Sequence, residues 1–165
     1  MNIQRLARHL LTTRRHAKRR FPEASLAAIK AAIVQSEASH RGEIRFAIEA
    51  ALEPGQVWRN MTPHQRALDL FADLRVWDTR DNSGVLVYVL LADRAIEIIA
   101  DRGIHARAGD DVWGRIAAVM QAEFAAGKFE AGAIAGIDAV SRELIRHLPA
   151  AGDNPDELPN EVTLL

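Results

Sequence analysis

A small α/β domain, one three-stranded sheet wrapped by helices, is predicted by three observations. Residues 43–52 switch from helical spacing to a spacing of two, residues 85–91 form a nearly unbroken apolar run, and helical apolar stripes lie on both sides of them. With 165 residues, 48% of them hydrophobic and 26% charged, the chain has the composition of one globular domain with a real core.

Ile3, Leu6 and Leu10 fall at helical spacing, so residues 2 to about 17 are read as one short basic amphipathic helix. Phe21-Pro22 interrupts it, because a residue before proline avoids the helical region, and Pro22 suits the first turn of a new helix. Leu26, Ile29 and Ile33 give that helix its buried face, to about Ala38. After Gly42, the residues Ile44, Phe46, Ile48 and Ala50 alternate with Glu43, Arg45, Ala47 and Glu49, the pattern of a half-buried strand. Pro54-Gly55 closes it. Thr62-Pro63 is an N-cap followed by proline at the first helical position, and Ala67, Leu70, Phe71 and Leu74 continue as a helical stripe.

The stretch from Asp78 to Gly84 reads as a loop. Val85–Leu91 reads as a strand covered on both faces. After the turn Ala92-Asp93-Arg94, the residues Ala95, Glu97, Ile98 and Ile99 form a third strand that must make an antiparallel hairpin with the second. The first two strands, joined through a helix, suit a parallel crossover. Gly109-Asp110-Asp111 opens a helix with Val112, Ile116, Val119, Met120 and Phe124 inward, and Gly127 ends it. A last long helix is set by Ile134, Ile137, Val140, Leu144, Ile145 and Leu148. The expected organisation is a basic amphipathic helix over 1–21, an α/β domain over 22–149, and an acidic mobile tail over 150–165.

Composition excludes several functions. There is no cysteine, hence no thiol nucleophile, disulfide or cysteine zinc site. The longest apolar run is far below the roughly 18 residues of a spanning helix. No signal peptide is visible, so a cytoplasmic location is expected, peripheral to the inner face of the membrane if the basic segment binds there. Net charge is -1. Residues 1–20, however, hold Arg5, Arg8, Arg14, Arg15, Lys18, Arg19 and Arg20 with no acid, whereas Asp153, Asp156, Glu157 and Glu161 make the tail acidic. The basic segment can hold an anionic bilayer at about 1 kcal/mol per charge at best, contact a membrane-associated complex, or pack by Ile3, Leu6 and Leu10 on the domain or a second subunit. Nucleic acid is disfavoured, since no aromatic residues interleave the charges.

The ordered run of these pieces resembles the TPM domain family. Glu43-Ile44-Arg45-Phe46, Asp81-Asn82-Ser83-Gly84-Val85-Leu86-Val87, Asp93-Arg94, Asp101-Arg102-Gly103-Ile104, Asp110 and Phe124-Ala125-Ala126-Gly127-Lys128-Phe129-Glu130-Ala131-Gly132 carry it, over roughly residues 24–148. The resemblance implies a three-layer α/β/α sandwich around a small mixed sheet of three to four strands. It also implies an acidic site for calcium or another divalent cation, no organic cofactor, and a role as an accessory module or as an acid phosphatase. Relatives usually carry Asn-Asn-Gly where this chain has Asn82-Ser83-Gly84.

For hard cations, which need six or more oxygens, Asp81, Asp110 and Asp111 with Asn82 in support are the expected calcium or magnesium ligands. Asp101 and Asp93 rank below them, Asp93 because it lies at the opposite end of the hairpin. Helix capping and turn chemistry account for the same residues without a metal. A phosphatase would need a metal-activated water, as neither Asp-x-Asp-x-Thr nor Arg-His-Gly occurs; Arg94 and Arg115 are its weak phosphate-binding candidates. The six histidines show no ligating spacing. Trp113 is expected in the core, and Trp58 in a loop as either a core cap or a partner contact.

Overall fold

The computed structural model describes residues 2–152 and 155–165. Its elements are α1 (Ile3–Leu11), α2 (Arg14–Arg20), α3 (Glu23–Glu37), β1 (Glu43–Glu49), α4 (Pro54–Trp58), α5 (Pro63–Asp73), β2 (Gly84–Leu90), β3 (Ala95–Ala100), α6 (Arg102–Ala108), α7 (Asp110–Ala125), α8 (Phe129–His147) and β4 (Thr163–Leu164). The sheet runs β3-β2-β1-β4. β1 is parallel to both β2 and β4, and β2 is antiparallel to β3. This is the expected small mixed sheet between helical layers.

Strand phase explains the two cores. Ile44, Phe46 and Ile48 of β1 join Val85, Val87 and Val89 of β2 beneath α3, α7 and α8. Leu86, Tyr88 and Leu90 point the other way and meet Ala67 and Leu70 of α5, as a strand covered on both faces must. β1 keeps its expected phase but is not half-buried: Glu43, Arg45 and Glu49 are all buried. Its polar face is covered by other polar groups, and these form the sites described below.

Three expectations are corrected. The first helix is two helices, because Thr12 is extended and Thr13 starts α2 with a reciprocal backbone and side-chain exchange with His16. Its face is also largely turned: Leu6 packs on the second core as expected, but Ile3 and Leu10 are 70% and 61% exposed, while His9 is buried. The acidic tail packs on the domain over its described part, 155–165. Leu158 is buried in the second core and Thr163–Leu164 pairs with Ala47–Ile48. Asp153, counted with that tail, lies outside the described residues. Two helices went unforeseen, α4, which contains exposed Trp58, and α6, which buries only Ile104.

Candidate functional sites at the two ends of the sheet

At the carboxyl ends of β1 and β2, Asp93 in the hairpin turn gathers two arginines and a histidine from α1. Arg5 donates through Nη2 to Oδ2 at 2.7 Å and through Nε to both carboxylate oxygens at 3.1 Å. Arg8 lies at 3.5 Å. His9 accepts the Leu52 N–H on Nδ1 at 2.9 Å, which leaves the ring proton on Nε2 to be donated to Asp93 Oδ1 at 3.0 Å. Burial alone would raise the Asp93 carboxyl, but the bonds from Arg5 and His9 outweigh it and hold the group below the usual range. Beside this lies a second buried set. Arg66 forks onto Glu49 at 2.9 and 3.1 Å, and the Tyr88 hydroxyl donates to Glu49 at 2.6 Å. Burial and the Glu49 charge push the Tyr88 hydroxyl up, far from ionisation.

Docking by Arg5 and His9 turns α1 inside out. Residues 3, 7, 10 and 11 share one helical face by their spacing. On it Ile3, Leu10 and Leu11 are 70%, 61% and 74% exposed. Trp58 of α4 is exposed as well. Of the basic residues, Arg14 donates to the Leu164 carbonyl at 2.6 Å and Arg20 lies over the Phe129 ring, whereas Arg15, Lys18 and Arg19 face solvent.

At the amino end of β1, Glu37, Glu43 and Asp156 place carboxylate oxygens within 4.8 Å of one another. Glu37 accepts the Ile44 N–H at 3.0 Å, and Glu43 accepts the N–H groups of Glu157 and Leu158, both at 3.3 Å. Burial, reinforced by the neighbouring carboxylates, pushes Glu37 up to about 8 and Glu43 up to about 7. Three carboxylates this close suit a hard cation chemically, since a divalent ion would offset their mutual repulsion and replace the protons that burial favours on Glu37 and Glu43.

The ligands expected from the sequence lie elsewhere. Asp81 pairs with Arg41 at 2.8 Å. Asn82, at φ 50°, accepts from Arg102 through its side chain and from Gly103 and Ile104 through its carbonyl. Asp101 caps α6. Asp110, the first residue of α7, pairs with His105 at 2.8 Å, and Asp111 beside it is exposed. Among the described residues Asp81, Asp110 and Asp111 do not form a set with ligand oxygens within 4.8 Å of each other. Arg94 sits in the hairpin turn at φ 53°, and Arg115 is exposed on α7. Glu37, Glu43 and Asp156 were missed. The one available signal was the charge on the inward-phased strand β1, and it shows nothing until the tail is known to return over it.

The sequence profile of the TPM domain matches residues 18–143. Among solved structures, the NMR structure of the BA42 protein from the psychrophilic bacterium Bizionia argentinensis is similar at 32% identity and a TM-score of 0.76, covering 86% of this chain and 92% of that one. The solution NMR structure of the N-terminal domain of a P. gingivalis protein is similar in fold, at 18% identity and a TM-score of 0.61, over 79% of this chain and 82% of that one. No curated protein matches the chain.

Proposed function

Because the chain belongs to the TPM domain family, we propose that it works as an accessory module of a membrane-associated complex, held to an anionic bilayer surface by its amino-terminal helices, rather than as a phosphatase. The inverted docking of α1 supports this reading. A nine-residue helix is marginal alone in water, and here its polar side is used for attachment while Ile3, Leu10 and Leu11 face outward. An apolar face beside Arg15, Lys18 and Arg19 is the pairing that shallow interfacial binding uses. No helix among the described residues is long and apolar enough to cross a membrane, so contact would be peripheral. The phosphomonoesterase reading needs Asp81 and Asp110 on a metal, and these carboxylates are engaged by Arg41 and His105.

A second element of the same reading is divalent-cation binding, calcium or magnesium, at Glu37, Glu43 and Asp156. The closeness of the three carboxylates favours it.

Co-sedimentation of the full chain with phosphatidylcholine vesicles, with and without phosphatidylglycerol, tests the membrane reading. Binding is expected on the anionic vesicles alone, and Leu10→Asp should abolish it without unfolding the protein, since Leu10 is solvent-facing. Equal binding to neutral vesicles, or binding unmoved by Leu10→Asp, would sink the proposal.

A further inference from the structure

Independently of the membrane reading, the outer edge of the sheet carries a second recognition surface. The phase of β2 is set by two bonds. Leu91 N–H donates to Glu49 O, toward β1, and Asp101 N–H donates to Gly84 O, across the hairpin. With the register Leu86↔Ile99, Tyr88↔Glu97 and Leu90↔Ala95, alternate residues of β3 spend their backbone groups on β2. The N–H and C=O groups of Ile96, Ile98 and Ala100 therefore point away from it, and among the described residues no strand lies beyond β3. Edge strands with a free row of donors and acceptors are usually covered, charged or broken by a bulge. β3 has one charged residue, Glu97, no proline and an unbroken register.

The edge lies at the bottom of a groove of about 710 Å³ between α5 and α7. Its α7 wall presents Gly114, Ala117 and Ala118, side chains too small to fill the space. Trp113 also lines the groove. It is 96% buried, and its Nε1–H has no acceptor among the described residues. The polar wall pairs off internally, His64 with Glu97 at 3.0 Å and His105 with Asp110 at 2.8 Å, which leaves the Arg102 charge without an acidic partner among the described residues. At the opposite edge of the sheet the chain's own extended carboxyl segment adds as β4. There this sheet takes an extended segment as an edge strand.

We propose that β3 receives an extended peptide segment of a partner protein as an added strand. The hydrogen bonds would run to Ile96, Ile98 and Ala100, apolar side chains at alternate positions would fill the space over Gly114, Ala117 and Ala118, and an acidic residue would meet Arg102. A second copy of the chain fits less well, because the edge is recessed between helices that a facing sheet would bring with it. This is strand addition, in which main-chain bonds supply affinity and alternate side chains supply selectivity.

The test uses the full chain and a capped peptide of alternating valine and threonine with glutamate at each end. Titration followed by amide and indole resonances should move Ile96, Ile98, Ala100 and the Trp113 Nε1–H together and to saturation. A Cβ at Gly114 meets nothing within 4 Å, so Gly114→Leu should keep the thermal midpoint while weakening binding about tenfold or more. Arg102→Gln should weaken it several-fold. Shifts absent at these residues, or unaffected by Gly114→Leu, would overturn the proposal. So would sedimentation showing a dimer that Gly114→Leu dissolves, since a second copy would then hold the edge.

Discussion

Replacing Glu37 with glutamine should make the protein more stable at pH 8 and remove most of its loss of stability with rising pH. In the fold the Glu37 carboxyl is raised from 4.5 to about 8, chiefly by burial, then by Glu43 and Asp156. A carboxyl raised in the folded state favours folding while it is protonated. Its contribution is full below the unfolded value of 4.5 and is lost as pH climbs through about 8. By linkage this amounts to about 3 kcal/mol between pH 5 and pH 8 for Glu37 alone. Glu43, raised to about 7 by burial, adds in the same direction but less than independently, because the two carboxyls feel each other. For a chain of this size that predicts a thermal midpoint roughly 6–12 °C lower at pH 8 than at pH 5. Calcium or magnesium at pH 8 should restore much of the difference in the wild type and little in Glu37→Gln, as a cation replaces the protons. Scanning calorimetry across pH, with and without each cation, measures all of this. A wild-type midpoint flat from pH 5 to 8, or a slope that Glu37→Gln leaves intact, would refute the electrostatic account. A slope without any cation effect would remove only the metal.

Asp93→Ala should cost about 2–4 kcal/mol, since it leaves the His9 Nε2–H and the Arg5 fork in a mostly buried place without their carboxylate. Hydrogen exchange over residues 3–11 should accelerate more than exchange in β1 and β2; a uniform change would mean that α1 is not held by this network. The pH dependence has the opposite sign to that of Glu37. Asp93 is held below its usual value, so its contribution is present above the unfolded value and is lost as pH falls through the folded one. Gly84→Ala should destabilise by several kcal/mol, because the new methyl would run into the backbone carbonyl of Val76, which cannot give way as a side chain could. Urea unfolding checks it, and a change under about 1 kcal/mol would mean the segment before β2 relaxes freely.

What could be seen in the sequence was whatever periodicity encodes. The phases of β1 and β2, the parallel crossover and the β2–β3 hairpin all follow from which apolar residues recur at two and which run continuously. The break in the first helix was written locally in Thr12-Thr13 but masked by Ile3, Leu6 and Leu10, whose period continues toward it. α6 was hidden because Arg102–Ala108 buries only Ile104. The tail gave no sign of order, since two strand residues and Leu158 are held by β1 and the second core and not by any pattern of their own. The acidic set was unreadable for the same reason. Glu37, Glu43 and Asp156 come from a helix end, a strand start and a returning tail, and only the tertiary fold brings them together.

The inverted α1 also constrains how the domain can be used. A helix whose apolar stripe packs on its own domain is fixed by nonspecific burial and has nothing left to offer. Here the attachment is largely polar, through the Asp93 ion pair, the Leu52 N–H bonded to His9 and Arg5 bonded to the Met61 carbonyl, with Leu6 alone packed on the second core, and burying such an ion pair yields little net stability because desolvation offsets most of the Coulomb attraction. The apolar side is free throughout, since none of its large side chains contributes to either core. On the proposed membrane reading, attachment and domain stability are thus separable: exposed Leu10 and Leu11 can be altered at no cost to the fold, and the network at Asp93 can be loosened without touching them. A protein in which the two always changed together would have α1 packed by Leu10 and Leu11 after all.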